Sequence, residues 1–158
     1  MIFKNENNRL KEIQVNDFKL EKELQTLTEN NLKELFGLEF IASEFSIENY
    51  RFDTVAFDKE SNSFIIIEYK RGQNKSLVDQ GVTYLYTLLD RKADFVLLYQ
   101  KKTNEKKEVK DFDWTQTRII FISQEFTEFQ KSASSFVGQA FILYEIKRYS
   151  EGIISKIE

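Results

Sequence analysis

Two carboxylates and one ammonium group dominate the stretch Arg51 to Lys70, RFDTVAFDKESNSFIIIEYK. Its two halves alternate like strands, and Lys59, Glu60, Ser61 and Asn62 between them read as a hairpin loop. With Asp58 opposite Ser63, Phe57 faces Phe64, Val55 faces Ile66, Asp53 faces Glu68 and Arg51 faces Lys70. A period of two puts all eight on one side of the sheet, apolar at the turn end and ionic at the other. Asp53 and Glu68 then have Cβ atoms about 5 Å apart, and two opposed carboxylates repel unless a cation or a proton lies between them.

An oxygen-ligand metal fits that arrangement. Mg²⁺ accepts one or two carboxylates and keeps several waters. The Tyr69 backbone carbonyl lies between Glu68 and Lys70 and adds a potential ligand. Such an ion lowers the pKa of a water and neutralises phosphoryl charge, while Lys70 orients the water and meets the phosphate. A plainer reading has Arg51, Asp53, Glu68 and Lys70 as an edge salt-bridge cluster. The tripeptide Glu-x-Lys recurs at Glu105/Lys107, Glu108/Lys110 and Glu145/Lys147, so by itself it carries little. What distinguishes Glu68/Lys70 is the apolar strand that ends there and the matched Asp on its partner. From spacing alone both readings stay open.

The rest of the composition narrows the chemistry. The chain has neither His nor Cys, which excludes zinc sites of the usual ligand sets, thiol nucleophiles and imidazole bases. A metal here must take oxygen ligands, which favours Mg²⁺, Mn²⁺ or Ca²⁺. There is no Pro and there are 5 Gly, so no segment reads as a linker, and 158 residues are expected to form one domain over 1–158. The first residues, MIFKNENNRLKEIQ, are too polar for a signal peptide, and no apolar run approaches a membrane span. The expectation is a cytoplasmic protein with no membrane partner. With 23 basic and 26 acidic side chains the net charge is −3, so a polyanion partner requires a local basic patch. Arg51, Arg71 and Lys75 cluster near the ionic end of the hairpin and suit phosphate contacts; otherwise they are solvated charges.

These groups need elements to position them. Residues 1–15 read weakly, at most as a short strand. Asn16 or Asp17 caps a helix from about Phe18 to Phe36, with Leu20, Leu24, Leu27 and Leu35 at helical spacing and Gly37 at the C-terminal cap. Asn31 falls inside that stripe and reads as a buried hydrogen-bonding residue. Strands are expected at Phe40–Phe45, Tyr50–Phe57 and Ser63–Lys70. A helix follows over Ser76–Asp90, capped by Asn74, in which Gly81 signals close approach of another chain segment. Asp94–Tyr99 reads as a short apolar strand reached by a right-handed crossover, and Lys101–Lys110 as a charged loop. Arg118–Ser123 is a strand, Glu125–Ser134 a short helix, and Phe141–Arg148 with Gly152–Lys156 a final hairpin. Trp114 suits a core role better than base stacking. The fold class is α/β, with a mixed central sheet flanked by helices.

The pattern Asp53, fourteen residues, Glu68, one residue, Lys70 resembles the PD-(D/E)xK, or restriction-endonuclease-like, nuclease superfamily. The run EYKRGQNKSLVDQGVTYLYTLL, preceded by KELQTLTENNLKELFG and RFDTVAFD, is similar to small endonuclease-like domains related to Holliday-junction resolvases and the tRNA-endonuclease catalytic domain. The later stretches DFDWTQTRIIFIS, FTEFQ and FILYEIKRY extend the likeness over about residues 18–150. Phe52 stands where that pattern nominally has Pro. The resemblance implies a Mg²⁺- or Mn²⁺-dependent phosphodiester hydrolase, an endonuclease acting on DNA in preference to RNA. It implies metal binding by Asp53 and Glu68, a water positioned by Lys70, and Gln80 at a metal water or the scissile phosphate. It also implies an acid from the first helix: Glu23, with Glu29 as the alternative. Relatives of this size often work as dimers, which leaves a homodimer open. The alternative function is a non-catalytic nucleic-acid- or protein-binding module on the same fold; a third class is a small acidic interaction protein.

Overall fold

The computed structural model describes residues 1–72 and 77–158. Asn74, Lys75 and Ser76, and with them the expected cap and start of the second long helix, lie outside the described residues. The chain opens on a hairpin, β1 (Ile2–Glu6) and β2 (Arg9–Ile13), where only a short strand was expected. Asn7 and Asn8 make its turn at positive φ, the conformation that tight hairpin turns demand. Next come α1 (Glu21–Glu29), α2 (Leu32–Phe36), β3 (Glu39–Ile47), β4 (Tyr50–Asp58) and β5 (Ser63–Tyr69). Then follow α3 (Leu77–Asp90), α4 (Lys92–Thr103), β6 (Arg118–Ser123), α5 (Glu128–Val137), β7 (Phe141–Arg148) and β8 (Ile154–Ile157).

Strands β3 to β8 form one six-stranded sheet in chain order. The pairs β3/β4, β4/β5 and β7/β8 are antiparallel; β5/β6 and β6/β7 are parallel. The two parallel connections carry the helices, as a crossover must. Every residue of β5 is buried, which is why it reads as the continuous apolar run SFIIIEY rather than as an alternation. One face of the sheet packs Phe52, Val55, Phe57, Phe64 and Ile66 beneath α3 and α4. The other packs Ala56, Ile65, Ile67 and Tyr69 against the α1–α2 side, with Leu24 and Leu32.

Three expectations are corrected. The stretch around Asp94–Tyr99 is not a strand but lies within helix α4. A six-residue apolar run suits a buried strand and a buried helix equally by periodicity. Here Phe95, Val96 and Tyr99 turn inward while Leu97 is half exposed, a helical split of the run. The parallel partner of β5 is therefore β6, and part of the expected charged loop is the last turn of α4. The single helix over Phe18–Phe36 is two. It starts late because the Gln124 side chain takes both backbone groups of Phe18: its N–H donates to Gln124 Oε1 at 2.9 Å, and its carbonyl accepts from Gln124 Nε2 at 3.2 Å. The cap position falls to Leu20 with no side-chain cap. The helix breaks at Asn30 and Asn31, where Asn31 Nδ2 donates to the Leu27 carbonyl at 2.7 Å, and Gly37 closes α2 in the left-handed conformation. The third correction concerns Phe52. Strict alternation puts it with Thr54 and Ala56, yet its ring packs on Tyr84 and Phe95 on the opposite side. The alternation of β4 breaks beside Asp53.

Gly81 sits where α3 crosses the sheet, and a Cβ there would collide with the Phe141 ring and lie 3.1 Å from Phe121. Among the described residues no helix is long and apolar enough to cross a membrane.

Candidate active site

The β4/β5 ladder holds the expected register from Asp58 opposite Ser63 to Thr54 opposite Ile67. The next pair is Asp53 and Glu68, and there side chains replace the ladder. The Asp53 N–H donates to Glu68 Oε1 at 3.0 Å, and the Tyr69 N–H donates to Asp53 Oδ2 at 3.2 Å. On the other side of β4, Glu44 is held at positive φ opposite Asp53. The Asp53 carbonyl instead accepts from Gln25 Nε2 of α1 at 3.0 Å. Both backbone groups of Asp53 are thus satisfied by side chains, a distortion that sets its carboxylate against Glu68 in the mouth between the strands.

Glu68 is 3% exposed. Burial first, and the neighbouring Asp53 charge second, push its carboxyl up to about 9. Lys70, one residue past the strand, works in the opposite direction and favours the carboxylate. Among the described residues, no ion pair joins Asp53 or Glu68 to Arg51 or Lys70. The edge salt-bridge cluster is therefore not formed in this structure.

Gln80 comes from the first turn of α3. Its Nε2 lies 3.5 Å from Glu68 Oε2 and 3.2 Å from Tyr84 Oη, and the Tyr84 hydroxyl donates to the Arg51 carbonyl at 3.0 Å. Gln80 Oε1 is buried and has no hydrogen-bond partner among the described residues. A buried acceptor without a donor is costly. This one sits beside the Asp53/Glu68 pair.

Of the two acids expected from the first helix, Glu23 is engaged elsewhere and Glu29 joins the network behind the pair. Glu23 pairs with Arg148 Nη1 at 3.2 Å instead of approaching Asp53 and Glu68. Glu29 is the closer of the two alternatives by connectivity: its Oε1 accepts from Thr54 Oγ1 at 2.7 Å and from Gln25 Nε2 at 3.0 Å. Tyr69 Oη meets Thr54 Oγ1 at 3.0 Å, so a buried polar network runs behind the pair and ties α1 to β4 and β5. Among the described residues, no group of three or more acidic side chains is close enough to hold a metal together. Gln25, Thr54 and Tyr84 were not singled out in the sequence. The available signal was a buried amide at Gln25, next to Leu24 on the inner face of α1, and a Gln80/Tyr84 pair four residues apart on α3.

Lys70 and Arg71 open onto a cavity of about 560 Å³ at the C-terminal ends of β5 and β6, with Ser123, Gln124 and the first residues of α5 on its far wall. In open sheets with parallel strands, this end is where ligands are usually received. Arg51 is exposed at the start of β4. Lys75 lies outside the described residues. The Trp114 ring packs 5.5 Å from Phe64 and donates to the Val109 carbonyl, a core role.

No protein-family model matches the chain. An uncharacterized protein of Haemophilus influenzae is 46% identical over 154 residues, 98% of this chain and 51% of that protein. The chain thus spans about half the length of the curated relative it matches. Among solved structures, a repair endonuclease from Pyrococcus abyssi superposes with a TM-score of 0.51 at 21% identity, covering 82% of this chain and 49% of the endonuclease. EndoMS in its apo form gives a TM-score of 0.51 at 18% identity, over 82% of this chain and 48% of EndoMS. At these identities the likeness is one of fold: a mixed six-stranded sheet flanked by helices, shared with about half of a repair endonuclease.

Proposed function

We propose that Asp53, Glu68, Lys70 and Gln80 form the active site of a Mg²⁺- or Mn²⁺-dependent phosphodiester hydrolase of the PD-(D/E)xK kind, an endonuclease acting on DNA in preference to RNA. The observation that carries this reading is the buried Glu68 carboxyl set against Asp53, beside Gln80 Oε1, with no ion pair to either acid and no partner for that oxygen among the described residues. A structural cluster would have recruited the nearby Arg51 or Lys70. The donor set is all oxygen, which fits a hard cation, and two carboxylates suffice for Mg²⁺ when waters complete its shell. Asp53 and Glu68 would hold the ion, with the Tyr69 carbonyl as a further ligand. When bound, the cation supplies positive charge opposite the phosphoryl oxygens and lowers the pKa of a water.

The remaining work falls to this chain's own groups. Glu68 must release its proton for the site to form, and the Lys70 charge favours that release. Lys70 then orients the nucleophilic water and meets the scissile phosphate. Gln80 Oε1 accepts a hydrogen bond from a water that would otherwise be free to rotate. Arg71 and Arg51 hold flanking phosphates and fix the strand's register without reading sequence. Glu29, with Gln25, steadies the Asp53 segment from behind. The fold shared with half of a repair endonuclease supports nucleic acid as the substrate class.

The test is a cleavage panel with Mn²⁺ or Mg²⁺ on single-stranded, duplex, flapped and four-way DNA and on RNA, with Lys70→Ala beside the parent. Cation-dependent cleavage lost in Lys70→Ala supports the reading. Binding without cleavage in any of them replaces it with the non-catalytic module.

A further inference from the structure

Helix α5 is turned inside out. Its inward side is polar, with Gln130 and Ser134 buried, while its apolar stripe faces outward. Phe129, Ala133, Phe136 and Val137 recur at the spacing of one helical face. Phe129 is 68% and Phe136 95% exposed. The neighbouring helix does the same on one flank: Val82, Tyr86 and Leu89, at i, i+4 and i+7 of α3, are 52%, 69% and 42% exposed. The two flanks meet. Lys131, on the other side of α5, reaches Glu145 of β7, so Phe129 and Phe136 lie on the side toward α3. Gln80 places the opposite side of α3 toward Glu68, so Val82 and Leu89 lie on the side toward α5. The two helices pack against one another along this seam. Both run back from the C-terminal ends of parallel strands, so they are parallel, and the seam is a single apolar ridge away from the Asp53/Glu68 mouth.

We propose that this α3–α5 face seats a second copy of the chain across a two-fold axis, each copy presenting the same ridge to the other. Three large rings at about 200 Å² apiece, mostly exposed, together with Val82, Leu89 and Val137, offer apolar area on the order of 600 Å². That is at the upper end of the roughly 300–600 Å² of the largest apolar patch on a typical monomer, a size that is often functional. With a polar rim it reaches the roughly 800 Å² per partner of a stable interface. The residue types match too: aromatic side chains concentrate at interface centres, and charged ones avoid them. Nucleic acid is the wrong occupant, because Asp79 and Asp90, seven before and four after Tyr86, border the ridge. The same acidic border, with the exposed Glu128, disfavours an anionic membrane. Parallel α3 and α5 in each copy would cross their counterparts as ridges into grooves, burying Phe136 and Tyr86 near the axis. The inference is independent of the catalytic reading, since no residue of the ridge belongs to that site.

The test is molar mass by light scattering and sedimentation velocity, from low micromolar to the highest soluble concentration. The parent is expected at twice the chain mass. Phe136→Asp and Tyr86→Asp, both at exposed positions, are expected at the chain mass or with dissociation constants raised at least tenfold. Phe3→Asp, on the exposed face of the β1/β2 hairpin, is expected to stay dimeric. Near-ultraviolet circular dichroism confirms that each variant is folded. The chain has no Cys, so a spin label on Ser135→Cys, exposed one turn beyond Lys131 on the flank of α5 away from α3, gives a second readout that leaves the ridge intact. It should report one short distance between copies in the parent background and none in Phe136→Asp. A parent that stays monomeric throughout, variants that stay dimeric, or a dimer with no short label distance overturns the proposal.

Discussion

The proton on Glu68 decides what the metal-free site costs the protein. Its carboxyl ordinarily titrates near 4.5 and is pushed up to about 9 in the folded chain. Below about 4.5 both folded and unfolded chains hold the proton, and the contribution of Glu68 to stability is fully present. Between the two values the unfolded chain releases it and the folded chain keeps it, so stability falls as pH rises, by up to about 1.4 kcal/mol per pH unit. Above about 9 the contribution is gone. Urea unfolding of the metal-free protein at pH 5, 7 and 9 should therefore show a decline that Glu68→Gln flattens. Equal slopes for the two would mean Glu68 is ionised in the folded state. Gln25 makes a second prediction at this scale. Its amide is buried and donates to Asp53 O, Ser43 Oγ and Glu29 Oε1. Gln25→Ala strands the Asp53 carbonyl, which has no ladder partner, and should cost about 1–3 kcal/mol in chemical denaturation. A change near zero would show that water takes over the bond.

At the scale of elements, the hairpin and its register were legible in the sequence and the first helix was not. The β4/β5 register follows from chemistry that is local: a four-residue polar loop and two strands whose apolar residues must face the same layers. Asp53 and Glu68 come next along the two strands, but there side chains replace the ladder, which no pattern in the strands announces. The break between α1 and α2 depends on the Asn31 side chain bonding the Leu27 carbonyl. The late start of α1 depends on Gln124, more than a hundred residues away. Glu23 was misplaced for the same reason: its partner Arg148 lies on β7, and nothing near Glu23 in the chain announces it. Gly81 is the counter-example, a long-range contact that one residue type betrays. Ala there would gain about 1 kcal/mol of helix propensity. Its Cβ would press on the buried Phe141 ring and on Phe121, and overpacking of this sort costs about 1–3 kcal/mol. Gly81→Ala should come out destabilised by about 1–2 kcal/mol in thermal or urea unfolding. A stabilised Gly81→Ala would mean that the Phe141 ring yields freely.

For the whole molecule, a cation held as proposed at Asp53 and Glu68 would couple the mouth of one hairpin to the stability of the entire fold, because an ion that binds only the folded chain raises its unfolding free energy by mass action. At a free cation concentration about a hundred times its dissociation constant the gain is about 2.7 kcal/mol. For a domain of this size that is a shift of roughly 5–10 °C in the melting temperature. Mn²⁺ or Mg²⁺ should produce this shift in the parent protein, and more of it at pH 8 than at pH 6, since the ion must displace the Glu68 proton. Asp53→Asn removes a charge from the ion and should abolish the shift. In the absence of metal, Asp53→Asn should match or exceed the parent in stability above about pH 9, where Glu68 is ionised and the substitution relieves their repulsion, while an amide oxygen can still accept from the Tyr69 N–H. Lys70→Ala should keep the metal shift and lose cleavage, since Lys70 acts on water and phosphate rather than on the ion. A structural cluster predicts the opposite in every column: no metal dependence, and a lower melting temperature for both Asp53→Asn and Lys70→Ala. Calorimetry of the three proteins with and without Mn²⁺ therefore separates a working site from a scaffold before any substrate has been found.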